Sequence, residues 1–231
     1  MIGLPMFSLS LLLTPPPEDF ASQVQKLAID HLTLLGSVSL APSNPLYPLY
    51  QYGLGLEVHH YLQAMGGDTD LQVELLLALD ETDPAKVLGF ALYLPAQGAV
   101  DACTLLYLVV IADRRGRGIG TALLRGVTAR YPHTEAACAL AVVDWFELQG
   151  WHVLAARGPQ VVVNTRAERS VGNARLLDVA PLYRTLEVQQ IHTYLLKQLG
   201  RRAMVQAEKQ RDYRLDQLER QAAAYAQAQR R

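Results

Sequence analysis

The chain has 231 residues, half of them hydrophobic, and its formal net charge at pH 7 is −1. This length can bury one sizeable core together with an extension, and the near-zero charge argues against a general affinity for polyanions. No apolar run approaches the roughly 20 residues that span a bilayer, so we expect a soluble, cytoplasmic protein without a membrane partner. Cys103 and Cys138 both fall in apolar, strand-like runs, which indicates reduced core thiols.

The N-terminal part of the sequence predicts one strand and two helices. Residues 6–14 form an apolar run that ends at three prolines, which cannot donate to a β-ladder. Because no basic residue precedes this run and no small-residue cleavage site follows it, we interpret it as a first strand rather than a secretory leader. Residues 17–36 and 46–65 have the spacing of amphipathic helices, and a loop rich in Pro and Ser over 37–48 joins them. The second helix is dense in aromatic side chains, namely Tyr47, Tyr50, Tyr52, His59, His60 and Tyr61.

Three further strands are predicted to form an antiparallel meander. Residues 71–79 and 87–94 are apolar and strand-length, and the polar linker 80–86 between them contains Asp-Pro, which is typical of a turn. Such a short linker forces antiparallel pairing. Another turn at Gln97-Gly98 leads into a strand over 101–112. Because no crossover helix separates these strands, a doubly wound dinucleotide-binding sheet is not favoured.

The central feature of the sequence is a glycine-rich turn between the strand that ends at Ala112 and a helix over 121–130. Gly116, Gly118 and Gly120 permit strained dihedrals and a close approach of a ligand to the backbone. The helix start presents unpaired N–H groups and the positive end of its dipole, so the turn is a predicted anion site. Nearby arginines add positive charge, namely Arg114, Arg115 and Arg117.

The spacing within this turn excludes two common phosphate-binding motifs. A P-loop requires Gly-Lys before Ser or Thr, but Gly120 is followed directly by Thr121. A dinucleotide fingerprint requires Gly-x-Gly-x-x-Gly, whereas the glycines here occupy every second position. The pattern that fits is Arg/Gln-x-x-Gly-x-Gly, present as Arg115-Gly-Arg-Gly118-Ile-Gly120. It resembles the coenzyme A signature of the GNAT family of acyl-CoA N-acyltransferases.

A second motif further along the chain supports this resemblance. Residues 134–143 predict a fifth strand, which either runs its full length before a helix with an Asp144–Glu147 capping box, or ends near Leu140. In both cases Phe146-Glu-Leu-Gln-Gly150-Trp151 resembles the Tyr-Glu-x-x-Gly-Phe sequence of the family. Two last strands are predicted over 151–155 and 160–165, so the resemblance covers residues 6–166.

The resemblance implies an α/β (α+β) fold, with a mixed, mostly antiparallel sheet flanked by helices over residues 1–166 and a helical C-terminal extension over 167–231. It also implies acetyl-CoA as co-substrate. We expect the N–H groups of the turn to hold its pyrophosphate, while a splayed central strand frees backbone groups for the pantetheine arm and the acyl carbonyl. The predicted cofactor-binding residues are Leu108, Val109, Val110, Arg115, Gly116, Arg117, Gly118, Ile119, Gly120, Thr121 and Phe146, and no metal site is predicted.

The usual acid and base of the family are missing from their positions. Phe146 stands where the family places a proton-donating tyrosine, Ala139 stands where it places an asparagine, and the central strand contains no Asp or Glu between Thr104 and Ala112. We predict Tyr107 first, because a phenol is the missing group, and Glu74 second as catalytic residues; Glu57 and His59 are further candidates by location. Three of them also have a structural interpretation: Tyr107 as a core tyrosine, Glu74 as a solvated strand carboxylate and His59 as a surface helix histidine.

The resemblance therefore predicts an N-acetyltransferase that moves an acetyl group from acetyl-CoA directly to a primary amine of a small molecule or peptide. A second hypothesis is a non-catalytic acyl-CoA-binding protein whose helical tail mediates assembly. In the family the first two helices and their loop form the acceptor side. The aromatic helix over 46–65 is thus either part of an acceptor pocket or an amphipathic helix packed on the core.

The C-terminal extension predicts a helix over 181–199 that ends at Gly200. Residues 201–231 contain eight Lys and Arg against four Asp and Glu, a net charge of +4, whereas residues 1–200 carry −5. An apolar 3-4 spacing continues through this tail, but it is too short to predict a coiled coil. The residues in this spacing are Leu215, Leu218, Ala222 and Tyr225. We expect a solvated, partly packed helix; a homodimer through these helices is the alternative, and nucleic acid is the least favoured partner.

Overall fold

The computed structural model describes residues 6–36, 38, 40–67, 71–169 and 174–229. Within them, seven strands form one sheet in the order β1-β2-β3-β4-β5-β7-β6. The strands are β1 (Phe7–Leu12), β2 (Glu74–Asp80), β3 (Val87–Pro95), β4 (Ala102–Val110), β5 (His133–Ala139), β6 (His152–Arg157) and β7 (Gln160–Asn164). All neighbouring strands are antiparallel except β4 and β5, which are parallel. The predicted mixed, mostly antiparallel sheet is confirmed.

The described part of the chain contains six α-helices, which flank this sheet. They are α1 (Glu18–Asp30), α2 (Leu32–Leu35), α3 (Tyr47–Gln63), α4 (Ile119–Arg130), α5 (Val143–Leu148) and α6 (Leu186–Ala228). Helices α1 and α3 pack on one face of the sheet, and α4 and α5 pack on the other. The single helix predicted over 17–36 is two helices, because the backbone leaves helical dihedrals at His31 (φ −113°, ψ 20°).

The antiparallel meander of β2, β3 and β4 is confirmed, and both of its faces are buried. Leu75 and Leu77 pack under α1 and α3, whereas Leu76 and Ala78 pack under α4. Burial on both faces explains why these strands are continuous apolar runs in the sequence rather than alternating ones. The sheet therefore separates two hydrophobic cores, and a residue's side of the sheet decides which helices it contacts.

The region after α4 follows the second of its two predicted arrangements. Strand β5 ends at Ala139, a short 3-10 helix spans Leu140–Val142, and α5 begins at Val143. The predicted capping box is wrong, because no side chain caps the start of α5. Instead, both of its acidic residues accept hydrogen bonds from the Tyr225 hydroxyl of α6, Glu147 at 2.7 Å and Asp144 at 3.3 Å. These carboxylates therefore attach the C-terminal helix to the domain.

The C-terminal extension folds back on the sheet. A 3-10 helix spans Leu182–Arg184, and α6 is interrupted at Gly200, where φ 81° and ψ 160° are not helical. The predicted break at Gly200 is thus present. Beyond it, Met204 packs near α3, while Ala222 packs into the core under α4 and α5. Among the described residues, no helix has the length and apolar composition that a bilayer crossing requires.

Candidate functional site

The turn after β4 ends in a left-handed glycine at the start of α4. Gly116 and Gly118 have φ values of 72° and 81°, a region that favours glycine, and Gly118 is the N-cap of α4. The first helical hydrogen bond runs from the Ala122 N–H to the Gly118 carbonyl at 2.9 Å. The N–H groups of residues 119–121 therefore precede the helical ladder and point out of the helix start, where they form a cradle for an anion.

The arginines of this turn make different contacts. Arg114 pairs with Asp80 at 3.6 Å between Nη2 and Oδ2. Arg115 Nε donates to the Val110 carbonyl at 3.2 Å and so attaches the turn to the end of β4. Arg117 is exposed to solvent. Arg114 and Arg115 thus shape the turn, whereas Arg117 adds charge near its rim.

A cavity of about 640 Å³ lies in front of the turn. Its walls come from α2, β4, β5, the start of α4 and α5. All predicted cofactor-binding residues except Arg117 line it, namely Leu108, Val109, Val110, Arg115, Gly116, Gly118, Ile119, Gly120, Thr121 and Phe146. Arg117 is exposed and does not line the cavity, so its role in binding coenzyme A stays a prediction. We call this the turn cavity.

Strand β4 separates from β5 part-way along its length. The parallel pairing joins Ala102–Leu105 to His133–Ala136 and stops there, whereas β4 stays paired with β3 as far as Val110. Among the described strands, none pairs with this edge of β4 near the turn. This is the splay that the resemblance implies.

The alternation of N–H groups along β4 shows which residues face the opened gap. The Ile111 N–H donates to the Leu88 carbonyl of β3 at 2.9 Å. Because successive residues point their backbone groups to opposite sides of a strand, the N–H groups of Leu108 and Val110 face the gap. By the same alternation the backbone of Val109 faces β3, so its predicted role as a backbone ligand is corrected.

A one-residue bulge in β4 decides which way Tyr107 points. Leu92 of β3 pairs with Tyr107, and Tyr93 pairs with Leu105, so Leu106 is an extra residue. Leu105 packs in the core under α4, whereas Tyr107 packs in the core under α1 and α3. Without the extra residue the two side chains would share a face of the sheet. The bulge therefore turns Tyr107 toward α3.

There, Tyr107 contacts Glu57 of α3. Its hydroxyl donates to Oε1 of Glu57 at 2.8 Å. Burial, followed by the proximity of Glu57, raises the pKa of Tyr107 well above its ordinary value, so the phenol keeps its proton at neutral pH. Burial also raises the pKa of Glu57, and the hydrogen bond from Tyr107 opposes that rise. A carboxyl group with an upward-shifted pKa inside a cavity is a candidate general base.

Glu57 and Tyr107 line a second cavity, of about 240 Å³. Three more tyrosines line it, namely Tyr50, Tyr61 and Tyr183. Burial raises the pKa of Tyr61 and that of Tyr183 to about 12, so both stay neutral at pH 7. We call this the tyrosine cavity. It shares lining residues with the turn cavity, and these are Leu35, Leu105, Leu106, Ala137 and Gln160. The two cavities therefore meet where β4 separates from β5.

Part of the tyrosine cavity comes from the C-terminal extension. Four side chains from residues 174–185 line it, and these are Leu176, Leu177, Val179 and Tyr183. The Leu177 N–H also donates to the Tyr61 hydroxyl oxygen at 3.1 Å. Sequence reasoning assigned the site to residues before 167 and missed these residues, because no motif or spacing marks them. Trp145, which also lines the turn cavity, was missed although it precedes a motif residue.

Glu74 lies away from both cavities. Its carboxylate accepts two hydrogen bonds from Arg130, each of 3.0 Å, and one of 2.8 Å from the Tyr131 hydroxyl. The structure therefore removes Glu74 from the catalytic candidates. Its alternative interpretation as a solvated residue is also wrong, because Glu74 is only 9% exposed. His59 contacts Gln25 at 3.3 Å and lines neither cavity.

Residues 44–157 match the family model of the acetyltransferase (GNAT) family. The chain belongs to the GNAT superfamily. No curated protein matches it.

Solved acetyltransferase structures are similar to this chain at low sequence identity. PaiA N-acetyltransferase from Thermoplasma acidophilum, solved in complex with coenzyme A, is 10% identical, with 69% of this chain and 99% of that chain covered and a TM-score of 0.52. An acetyltransferase from Thermus thermophilus is 18% identical, with 70% and 97% covered and a TM-score of 0.49. A GNAT-family acetyltransferase from Staphylococcus aureus is 9% identical, with 70% and 100% covered and a TM-score of 0.47.

The turn cavity of this GNAT protein has one histidine among its described lining residues, His31, whose Nδ1 lies 2.8 Å from the Leu27 carbonyl oxygen, and no tyrosine at the family's position. Phe146 is 5% exposed and packs between Trp145 and Trp151, with both ring centroids 5.0 Å away. Among the described residues, no Asp or Glu lines this cavity. Cys138 lines it, but burial raises the pKa of its thiol to about 12. In the described part of the chain, Glu57 is the one carboxyl group that lines either cavity, and it is therefore a base candidate.

Proposed function

We propose that this GNAT protein transfers an acetyl group from acetyl-CoA directly to a primary amine, with Glu57 accepting the amine proton. The observation that carries the proposal is the junction of the two cavities at the splay of β4. One cavity contains the anion cradle at the start of α4, and the other contains a half-buried carboxyl group with a raised pKa. A thioester and an amine held in these cavities meet at their junction, where transfer needs no covalent enzyme intermediate.

The binding of acetyl-CoA follows from the backbone of the turn cavity. The N–H groups of residues 119–121 would hold the pyrophosphate, with Arg115 adding positive charge. The N–H groups of Leu108 and Val110 would donate to the pantetheine arm and the thioester carbonyl oxygen. Fixed backbone donors of this kind stabilise the negative charge that develops on a carbonyl oxygen during attack.

The proton transfers assign separate roles to Glu57 and Tyr107. The amine nitrogen forms a bond to the carbonyl carbon, the bond between that carbon and sulfur breaks, and the nitrogen loses its proton to Glu57. The leaving thiolate takes a proton from solvent at the open turn cavity. The Tyr107 hydroxyl already donates to Glu57, so we propose Tyr107 as a positioning residue that orients this base rather than as the acid.

A non-catalytic acyl-CoA-binding protein is the second candidate, and the presence of Phe146 at the family's tyrosine position favours it. Thiol release distinguishes the two functions. The purified protein would be incubated with acetyl-CoA and a panel of primary amines, and free thiol would be measured beside a calorimetric titration with acetyl-CoA. An enzyme binds acetyl-CoA and releases thiol only when an acceptor is present. Binding without thiol release across the panel would contradict the proposed transfer.

A further inference from the structure

The tyrosine cavity is roofed by a segment that we call the strap, residues 174–185. We propose that the strap restricts the acceptor to a small primary amine with an apolar or aromatic body and excludes peptide N-termini. This inference rests on the proposed function and names the substrate class of the same site. It comes from three features of the described residues: how the strap is attached, how its tyrosine is seated, and what lines the cavity beneath it.

The strap is attached to α3 at two places. At one end, the Leu177 N–H donates to Tyr61 at 3.1 Å. At the other, Leu182 is 8% exposed, and the ring of Tyr183 lies 5.7 Å from that of Tyr50 between centroids. The contacts combine a backbone hydrogen bond with buried apolar and aromatic packing. The strap is therefore a packed wall of the cavity rather than a surface loop.

The ring of Tyr183 packs against Gly53 of α3. A Cβ atom at Gly53 would lie 2.7 Å from ring atom Cε1 of Tyr183 and 2.8 Å from its hydroxyl oxygen, closer than such atoms approach. Gly53 lies in the interior of a helix, where glycine is less favourable than alanine. The close approach of Tyr183 gives a physical reason for glycine at this position. The glycine lets the Tyr183 ring pack directly against α3, and the strap that carries this ring lies close to the helix.

The lining beneath the strap fits a small amine. The volume of about 240 Å³ is under the roughly 300–1,000 Å³ of cavities that hold drug-sized ligands. A bound ammonium group would meet the Glu57 carboxylate and the electron-rich faces of the tyrosines, and it loses one proton to solvent before the neutral amine attacks. Most other lining side chains are aliphatic, and the positive charge of Arg157 is on an exposed side chain at the rim. A peptide would have to place its amide groups against leucines that offer no hydrogen bonds, which is unfavourable.

The experiment compares 2-phenylethylamine with a tripeptide whose N-terminal residue is phenylalanine. In the wild-type protein with acetyl-CoA, we expect kcat/KM for thiol release to favour the small amine by at least tenfold. Tyr183→Ala removes the ring with which the strap lines the cavity, and Gly53→Ala displaces that ring without removing it. Both variants should reduce that preference by tenfold or more. Tyr213→Ala is the matched control, because Tyr213 is 74% exposed and lines neither cavity.

Binding is measured separately from turnover, by saturation-transfer NMR of each amine with the protein and coenzyme A. Binding of the small amine that is lost in Leu54→Trp, which fills the cavity, supports the inference even if no thiol is released; the proposed function alone then fails. Equal or faster turnover of the tripeptide by the wild-type protein overturns the inference and leaves the function intact. If neither amine binds, the inference is overturned as well.

Discussion

Replacing Glu57 with glutamine should abolish most activity while leaving the fold intact. Glutamine keeps the size of the side chain and still accepts the hydrogen bond from Tyr107, which is 2.8 Å long in the wild-type protein. It cannot accept a proton from the amine. A positioned acid or base typically contributes about 10²–10⁴-fold, so we expect kcat/KM to fall by that factor. This corresponds to about 2.7–5.4 kcal/mol of lost transition-state stabilisation.

The same substitution should change the pH dependence of stability in a defined direction. Burial raises the pKa of Glu57, so the ionised carboxylate is less stable in the folded chain than in the unfolded one. The favourable contribution of the neutral form is fully present below the ordinary pKa of glutamate and is lost as the pH rises through the raised folded pKa. Glutamine is neutral throughout. The variant should therefore melt at a higher temperature than the wild-type protein at pH 8, and this advantage should disappear at pH 4.

Steady-state thiol release at pH 8 and thermal melting at both pH values measure the two effects. Glu81→Gln is the control, because Glu81 is exposed and lines neither cavity. It should change neither quantity. Full activity in Glu57→Gln would refute the assignment of the base. A fall in melting temperature that parallels the loss of activity would instead show that Glu57 acts through structure.

Three other predictions test the remaining features. Gly118 and Gly98 have φ values of 81° and 82°, and a Cβ atom would meet nothing within 4 Å at either position. Replacing either with alanine should cost about 1–2 kcal/mol of stability, but only Gly118→Ala should weaken acetyl-CoA binding in calorimetry; equal weakening would contradict the cradle. Arg130→Met removes both bonds to Glu74, and since the Arg130 side chain is 42% exposed we expect a loss of about 1–3 kcal/mol in urea unfolding. Its kcat/KM should not change, and a tenfold fall would return Glu74 to the catalytic candidates. Deleting residues 201–231 should lower the melting temperature through lost packing on the sheet. If its mass in solution then corresponds to the same number of subunits as the full chain, the predicted homodimer through these helices is contradicted.

The anion cradle could be predicted from the sequence because its parts are local. Gly116 and Gly118 take the left-handed dihedrals that their lack of Cβ permits, and α4 begins at the next residue, Ile119. The meander was also predictable, since the polar linker 80–86 is too short for a crossover. In these cases residues that are close in the sequence determine the backbone dihedrals or the direction of strand pairing. Both can therefore be predicted without the tertiary structure.

The choice between Tyr107, Glu74 and Glu57 could not be made from the sequence. The alternation of side chains along β4 would place Tyr107 on the same face as Leu105, and only the bulge at Leu106 turns it toward α3. Glu74 has the same chemical group as Glu57, but its ion pair with Arg130 depends on how α4 packs across the sheet. Register and packing thus decide which of these residues line a cavity and which do not.

The sequence by itself determined the family, the order of the strands along the chain and the glycine-rich turn before α4, because each depends on residue types at short spacing. The tertiary structure alone decided the composition of the tyrosine cavity, which we propose as the acceptor side. Tyr107 bonds to a residue 50 positions away, and the strap bonds to one 116 positions away. Contacts over such separations form only when α3, β4 and the strap pack together on one face of the sheet. Gly53 is in the sequence as one glycine among 16, and only the ring of Tyr183 seated against it explains its place.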